Sequence, residues 1–185
     1  MILLKSELSS IDLTVEKLKK GEIVIIPTDT VYGFSGIVDS NYKTDLKIRE
    51  IKGRDENKPF IQLISSVEDI FKYTKDKIPD CLLEKWPGAL TIIVNDIYGG
   101  TTAFRCPGDK WLREIIKKVG FPLYSTSVNK SGSPILETTN DIKNVFENDV
   151  SLIVDDGDKK NALPSTLVKI EKENFVILRQ GSVKI

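Results

Sequence analysis

The stretch at residues 21–33 constrains this chain more than any other. It begins with a glycine that can end a preceding helix, and residues 23–26 follow as an uninterrupted run of three isoleucines and one valine. A short β-branched run of this kind predicts a strand buried on both faces, and Pro27 ends it because proline cannot donate to a sheet ladder. Open α/β sheets place ligands where a buried strand ends in a polar loop. A plain polar turn also fits the residues that follow, which are rich in hydrogen-bonding groups: Thr28, Asp29, Thr30 and Tyr32.

The overall composition is that of a soluble globular protein. The chain has 185 residues, 40% of them hydrophobic and 29% charged, which predicts one domain spanning residues 1–185. The apolar runs are too short to span a membrane, and the N-terminal residues lack the pattern of a signal peptide. We therefore expect a cytoplasmic protein. Cys81 and Cys106 form neither a disulfide framework nor a metal motif, and we expect both to be small buried side chains.

The absence of histidine limits the chemistry. It excludes Ser-His-Asp and Cys-His catalysis and histidine-containing zinc sites. An enzyme built from this chain must act by binding, positioning and electrostatics, or through Lys, Asp, Glu, Tyr and water. The net charge of zero argues against binding nucleic acid over the whole surface but leaves room for a local basic cleft.

Only five of the 27 basic residues are arginine, so an arginine outside a plain helix surface is a candidate for two-point binding of a carboxylate or phosphate. Arg49 and Arg113 fall in helical patterns and are predicted to be solvated. Arg54, Arg105 and Arg179 fall at loop or strand boundaries. Arg105 has apolar neighbours and needs an anionic partner, from the protein or from a ligand, because an unpaired buried guanidinium is costly.

The remaining pattern alternates strands and helices, which predicts an α/β fold. The expected helices cover residues 12–20, 42–52, 66–71, 80–86, 111–119 and 140–146. The expected strands cover residues 2–4, 23–26, 60–64, the end of a turn-and-strand segment at 86–94, a short piece at 103–108, the start of 122–132, residues 152–155, and a hairpin of 165–170 with 174–178. Residues 36–40 are predicted to be a connection and residues 99–102 a turn.

Three polar segments each allow two interpretations. The basic residues of segment 52–59 suit phosphate binding, and they equally suit the cationic end of a helix. The hydroxyls and amide of segment 124–132 suit a ligand site or a Ser/Asn turn. The carboxylates of segment 155–158 suit Mg²⁺, but an Asp-Gly turn explains them without a metal, and no metal site is predicted. The sequence contains neither a P-loop nor the usual dinucleotide fingerprint.

Seven short segments in order resemble one family. They are PTDTVYG (27–33), KGR (52–54), WPGALT (86–91), RCP (105–107), SVNKSG (127–132), PST (164–166) and LRQG (178–181). Together they resemble the YrdC/TsaC family of threonylcarbamoyl-AMP synthases, in its single-domain form. The resemblance implies a YrdC-like twisted mixed β-sheet flanked by helices around a deep basic cavity. It also implies synthesis of threonylcarbamoyl-AMP and pyrophosphate from L-threonine, bicarbonate or CO₂, and ATP, for the N6-threonylcarbamoyladenosine (t6A) modification of tRNA.

The resemblance also implies roles for individual residues. Lys52 and Arg54 would be catalytic and would hold the ATP phosphates. The expected threonine contacts are Thr30, Tyr32, Arg105, Ser127 and Ser165. The other expected ATP contacts are Lys58, Thr101, Asn129, Glu137 and Arg179. Mg²⁺ would accompany ATP, and the product would pass to TsaD-, TsaB- and TsaE-type proteins.

The sequence departs from the family pattern at two places, and two alternative functions also fit it. Leu63 stands about where many relatives carry histidine, so that contact to threonine must be lost or replaced. Either Glu137 or Thr138 could approach ATP. A YciO-like paralogue shares the fold without the same pathway role, and an RNA-binding module could use the same basic cavity without catalysis, as some relatives that bind RNA suggest.

Overall fold

The protein is described here by a computed structural model covering residues 1–53, 59–172 and 174–185. The helices are α1 Ser10–Lys19, α2 Thr44–Lys52, α3 Asp80–Leu83, α4 Lys110–Val119 and α5 Thr139–Phe146, with a 3₁₀ helix at Val67–Lys72. The strands are β1 Ile2–Leu4, β2 Val24–Ile26, β3 Gly33–Ile37, β4 Ile61–Leu63, β5 Leu90–Asn95, β6 Thr101–Arg105, β7 Leu123–Ser127, β8 Leu152–Asp155, β9 Thr166–Glu171 and β10 Asn174–Arg179.

Within these ranges the strands form one mixed sheet in the order β1-β8-β2-β3-β7-β4-β6-β5-β9-β10. The buried strand β2 runs parallel to β8 and antiparallel to β3. All three residues of β2 are buried, as their unbroken apolar run predicts. The loop that follows β2 is thereby held near the middle of the sheet rather than at its edge.

Helix α4 shows how the sequence dictates one layer of the fold. Its buried residues Leu112, Ile115, Ile116 and Val119 recur at helical spacing. Asp109 caps the helix, and its side chain accepts hydrogen bonds from two backbone N–H groups of the first turn. Helices α1 and α4 pack together on one face of the sheet, over a core that includes residues of β2, β7 and β8.

The two faces of the sheet are distinguished by the alternation of side chains along each strand. On β7, Leu123 belongs to the core under α1 and α4, and Ser125 and Ser127 continue the same face beyond those helices. That uncovered part of the face forms the floor of the cavity described below. The opposite face is packed by two further apolar clusters.

Several predicted elements are confirmed, including the strand at residues 2–4, the cap at Asp109 and the hairpin of β9 with β10. The prediction that residues 36–40 are only a connection was wrong, because β3 occupies Gly33–Ile37. Two glycines in five residues hide its strand character. Gly36 is needed because a Cβ there would lie 2.7 Å from Thr44 Cβ, too close for α2 to pack as it does.

Four smaller predictions were also wrong. Thr101 and Thr102 belong to β6 rather than to a turn, and α3 ends at Leu83, three residues earlier than expected. Cys81 is exposed, whereas Cys106 is buried as predicted. Arg49 and Arg113 are half-buried rather than solvated, as the contacts of their guanidinium groups show.

The contacts of these two arginines explain their burial. Arg49 lies over the Phe60 ring, 4.7 Å from its centroid. Arg113 Nη1 donates to the carbonyl oxygens of Pro107 and Gly108 at 2.7 and 2.9 Å. Arg113 therefore holds the loop between β6 and α4. In the ranges the structure describes, no helix is long and apolar enough to cross a membrane.

Candidate active site

A cavity of about 340 Å³ lies against the uncovered face of the sheet. Its walls take residues from seven strands, from β3 at one side to β10 at the other, and from the loop after β2. Four of its residues show this range: Gly33 on β3, Ser127 on β7, Arg105 on β6 and Arg179 on β10. A volume of this size is in the range of small-molecule sites.

The loop after β2 supplies a compact group of hydroxyls to the cavity. Thr28 Oγ1 lies 2.9 Å from Thr30 Oγ1, accepts a hydrogen bond from the Thr30 N–H at 3.0 Å, and donates to the Val31 carbonyl at 2.8 Å. Thr28 and Thr30 are both buried. Pro27 ends β2, and these local bonds then fold the loop back so that both threonines line the cavity.

Arg105 lies at the end of β6 and is 4% exposed. Nε donates to the Gly88 carbonyl at 3.1 Å, Nη1 donates to Thr30 Oγ1 at 2.9 Å, and Nη2 forms an ion pair with Asp29 Oδ1. Burial lowers the pKa of Arg105 from its ordinary value, and the Asp29 carboxylate opposes that shift. Because a guanidinium stays protonated in proteins, Arg105 presents a fixed positive charge to the cavity.

A second arginine reaches the same cavity from β10. Arg179 Nε and Nη2 donate to the Ser165 carbonyl at 3.2 and 2.9 Å. Ser165 is buried, and its Oγ lies 2.7 Å from Thr91 Oγ1. Burial lowers the pKa of Arg179, and its charge also contributes to lowering the pKa of Arg105. Two guanidinium groups that face one cavity create a local preference for anions.

Ser127 and Asn129 form a third group at the end of β7. Ser127 Oγ donates to Asn129 Oδ1 at 2.7 Å. Lys52 Nζ donates to the carbonyl oxygens of Ser127 and Asn129 at 2.5 and 2.8 Å, and to Asn129 Oδ1 at 3.0 Å. Lys52 is 2% exposed and lies 5.3 Å from the centroid of the Phe34 ring. Lys52 thus ties α2 to the segment that carries Ser127.

Tyr32 lines the cavity, but its hydroxyl is engaged elsewhere. The hydroxyl donates to the Gly157 carbonyl at 2.7 Å and accepts from the Asp156 N–H at 2.8 Å. Burial raises the pKa of Tyr32 to about 12. Its phenol therefore stays protonated near neutral pH and anchors the loop after β8.

The structure brings six predicted site residues together along the described cavity wall: Thr30, Tyr32, Arg105, Ser127, Ser165 and Arg179. Their roles toward particular ligands stay predictions. Lys52, Thr101, Asn129 and Glu137 lie outside that wall as the described residues define it. The predictions for Arg54 and Lys58 lie outside the described residues.

The residues beyond the wall have distinct positions. Thr101 begins β6 and lies on the same face as Ala103 and Arg105 by strand alternation. Glu137 is exposed, whereas Thr138 caps α5 and accepts a hydrogen bond from the Asp141 N–H at 3.1 Å. The Thr138 hydroxyl is therefore occupied in capping α5. Of this pair, Glu137 is the residue whose side chain is exposed to solvent.

Leu63, at the approximate histidine position of many relatives, is 1% exposed and belongs to the core under α1 and α4. It is also paired in register with Arg105. Leu63 therefore offers no polar group to the cavity, and the described contacts of Arg105 are a carbonyl of Gly88, a hydroxyl of Thr30 and the Asp29 carboxylate.

The sequence predictions did not include some residues in or beside the cavity. Thr28 lines the cavity and Asp29 lies beside it; both stand in the first polar loop, but no role was predicted for either. Ser125 lies one strand repeat before Ser127 and so faces the same way. The period of two in β7 could have identified Ser125. Nothing local in the sequence shows that Asp29 pairs with Arg105, 76 residues later.

The described residues hold no cluster of three or more Cys, Asp or Glu side chains that could bind a metal ion. Of the carboxylates in segment 155–158, Asp156 contacts Lys5 at 3.0 Å and Lys159 at 3.1 Å. The Asp155 side chain accepts from the Gly157 N–H at 2.8 Å, in the manner of an Asx turn.

The fold and the cavity define a class of protein: an α/β small-molecule-binding protein whose site suits an anionic ligand. Comparison with known proteins identifies the family. The Sua5/YciO/YrdC family model, described as "Telomere recombination", matches residues 16–181. The chain therefore belongs to the Sua5/YciO/YrdC family.

Individual relatives give the same result. A putative threonylcarbamoyl-AMP synthase of Methanocaldococcus jannaschii is 34% identical, over 92% of this chain and 87% of that protein. The threonylcarbamoyl-AMP synthase of Bacillus subtilis is 30% identical over 90% of this chain but 51% of its own length. The crystal structure of Pyrococcus abyssi Sua5 complexed with L-threonine superposes with a TM-score of 0.87 at 27% identity, over 98% of this chain and 57% of that one. The chain thus spans about half the length of these last two proteins.

Proposed function

We propose that this chain is a threonylcarbamoyl-AMP synthase, which makes threonylcarbamoyl-AMP and pyrophosphate from L-threonine, bicarbonate or CO₂, and ATP. The observation that carries the proposal is the cavity in which Arg105 and Arg179 stand among the hydroxyls of Thr30, Ser127 and Ser165. An amino acid substrate brings a carboxylate and ATP brings phosphates, so the two arginines match the charges of the two substrates. The relatives from Methanocaldococcus jannaschii and Bacillus subtilis are named for the same reaction, which supports the proposal.

The proposed role of Arg105 is to bind the threonine carboxylate. Its contacts to Gly88, Thr30 and Asp29 use three of its five N–H groups, and within the described residues one N–H remains on each Nη atom. Two donors on one guanidinium have the spacing that a carboxylate accepts in two-point fashion. The hydroxyls of Thr30, Ser127 and Ser165 then surround the rest of the amino acid.

The proposed role of Arg179 is to bind an ATP phosphate. It reaches the cavity from the strand at the opposite side to β3, and its Nε and Nη2 contacts hold it on the Ser165 carbonyl. A cation at this place neutralises charge on the phosphate chain while the α-phosphate is attacked. Lys52, Arg54, Lys58, Thr101, Asn129 and Glu137 keep their predicted nucleotide roles as proposals.

The reaction balances without a histidine or a covalent enzyme intermediate. The threonine amine and bicarbonate give the carbamate and water. A carbamate oxygen then attacks the α-phosphorus of ATP, the bond to the β-phosphate breaks, and pyrophosphate leaves. The protein's contribution is to align the two reactants and to stabilise negative charge, which are the main sources of catalysis in phosphoryl-type transfers.

We propose Mg²⁺ only as the cation that accompanies ATP. The described residues of the cavity wall include no carboxylate, and Asp29 beside it is already paired with Arg105. The described part of the wall thus offers no carboxylate to a metal ion, and Mg²⁺ is commonly held through substrate phosphates. None of the protein's roles given above depends on it.

The test is pyrophosphate release with each substrate omitted in turn. We expect release that requires ATP, L-threonine and bicarbonate together. Release without threonine would favour a YciO-like paralogue with a different substrate. No release, combined with RNA binding that weakens steeply with salt, would favour an RNA-binding module. Transfer of the product to TsaD-, TsaB- and TsaE-type proteins, and weak binding of tRNA, remain proposals that follow from the synthase role.

A further inference from the structure

Asp29 has no role in the reaction proposed above, yet both of its carboxylate oxygens are fixed beside the cavity. Oδ1 accepts from Arg105 Nη2, and Oδ2 accepts from the Gly108 N–H at 2.9 Å. The Asp29 side chain is 20% exposed and the Arg105 side chain 5%. The pair therefore lies at the margin of the cavity, where solvent weakens an ion pair only in part.

The position of the Asp29 carboxylate depends on the glycine at residue 108. A Cβ at Gly108 would lie 3.0 Å from Asp29 Oδ2 and 3.6 Å from Gly88 Cα. Gly108 therefore lets three segments meet closely: the loop after β2, the turn before β5 and the loop after β6. Arg105 contacts two of these segments directly, through Gly88 and Asp29.

The orientation of the Arg105 guanidinium is fixed by contacts at all three of its nitrogens. Gly88 supplies a carbonyl and Thr30 a hydroxyl, both neutral acceptors. Asp29 supplies the one charged acceptor among these three, and hydrogen bonds between charged groups are about twice as strong as neutral ones. Loss of the Asp29 charge would thus remove the strongest of the three constraints on the guanidinium plane.

We propose that Asp29 is a positioning residue for threonine recognition. It holds Arg105 so that the remaining N–H on each Nη atom is presented as a pair to the substrate carboxylate, and it does not itself contact the substrate. This inference rests on the proposed function, because it takes the threonine carboxylate as the ligand of Arg105.

Charge and geometry make opposite predictions for this residue. If only the local charge mattered, removal of a carboxylate beside a carboxylate-binding site would strengthen threonine binding, because like charges repel. If Asp29 acts by positioning, its removal weakens threonine binding although the site becomes more positive. The sign of the change therefore distinguishes the two.

The experiment compares the full chain with Asp29→Asn, which keeps the size of the side chain and removes the charge. Calorimetry should show L-threonine affinity reduced about tenfold or more, with ATP affinity measured alone changed less than about twofold. L-Threoninol, which has an alcohol in place of the carboxylate, should bind weakly and equally to both proteins. In the pyrophosphate assay the KM for threonine should rise while kcat at saturating threonine is largely kept.

Two further variants complete the design. Gly108→Ala keeps every charge and crowds the Asp29 carboxylate, so it should weaken threonine binding in the same direction. Asp96→Asn is the matched control, because Asp96 also accepts the N–H of a glycine, Gly100 at 3.0 Å, in a turn that does not line the described cavity. Asp96→Asn should leave threonine affinity unchanged. If Asp29→Asn fails to fold, Gly108→Ala carries the same test.

Unchanged or tighter threonine binding by Asp29→Asn would overturn the inference. So would an equal loss of threonine and threoninol binding, because that pattern indicates general damage to the cavity. A wild-type chain that binds no threonine refutes the proposed function itself. Wild-type binding with an unaffected Asp29→Asn variant refutes this inference alone.

Discussion

Replacement of Arg105 by lysine separates the charge of this residue from its geometry. The guanidinium makes fixed contacts with Gly88, Thr30 and Asp29 and, within the described residues, keeps one N–H on each Nη atom for a ligand. An ammonium has three N–H donors. A lysine that keeps Asp29 and either neutral acceptor has at most one donor left, so it cannot bind a carboxylate in two-point fashion.

The size of the effect follows from that count. Arg105→Lys loses one hydrogen bond between charged groups, which contributes about 1.5–3 kcal/mol. At about 1.4 kcal/mol for each factor of ten, threonine use should fall about ten- to a hundred-fold. The positive charge is kept, so ATP binding measured without threonine should change little.

The assay is kcat/KM for threonine in pyrophosphate release, together with ATP affinity by calorimetry. Arg113→Lys is unsuitable as the control, because Arg113 holds the carbonyls of Pro107 and Gly108 beside Asp29. Lys19→Arg, on an exposed part of α1, is a better control and should leave both kcat/KM for threonine and ATP affinity unchanged. Wild-type threonine kinetics for Arg105→Lys, or a loss of ATP binding instead, would refute the assignment of the carboxylate to Arg105.

Three further predictions concern stability and reactivity. Tyr32→Phe should lower the free energy of unfolding by about 1–3 kcal/mol, because the hydroxyl loses two part-buried hydrogen bonds to the backbone, each contributing about 0.5–1.5 kcal/mol, and calorimetric melting would measure it. Burial alone would raise the pKa of Asp69, but hydrogen bonds, led by the one from Lys72, lower it to about 2. The stability that Asp69 contributes is therefore present above its unfolded pKa near 4 and is lost as the pH falls toward about 2. The Asp69→Asn variant should lose less stability over this range in an acid titration. Burial raises the pKa of the Cys106 thiol to about 11, so the double variant Cys81→Ser, Cys106→Ser should keep most activity, and complete inactivity of a folded double variant would contradict this.

Elements with a clear period or cap were predictable from the sequence. The apolar run of β2 and the spacing of Leu112, Ile115 and Val119 in α4 are local signals, and local signals determined these elements. Strand β3 was missed because Gly33 and Gly36 depress its strand propensity, while tertiary packing between β2 and β7 determines its conformation.

The candidate site was predictable only in part, for a related reason. The need of Arg105 for an anionic partner could be inferred from its apolar neighbours, but the identity of that partner depends on a contact across 76 residues. The same holds for Lys52, whose acceptors at Ser127 and Asn129 lie 75 and 77 residues away. The sequence showed which residue types the chemistry requires, and the sheet order determines which of them meet.

The most direct measurement of the central claim follows the carbonate carbon into the product. The chain is incubated with ATP, L-threonine and ¹³C-labelled bicarbonate, and the nucleotide products are analysed by mass spectrometry. We expect an adenylate that carries both threonine and the labelled carbon, and we expect none when threonine is omitted. An adenylate without the label, or no threonine-containing adenylate from a folded protein that binds both substrates, would contradict it.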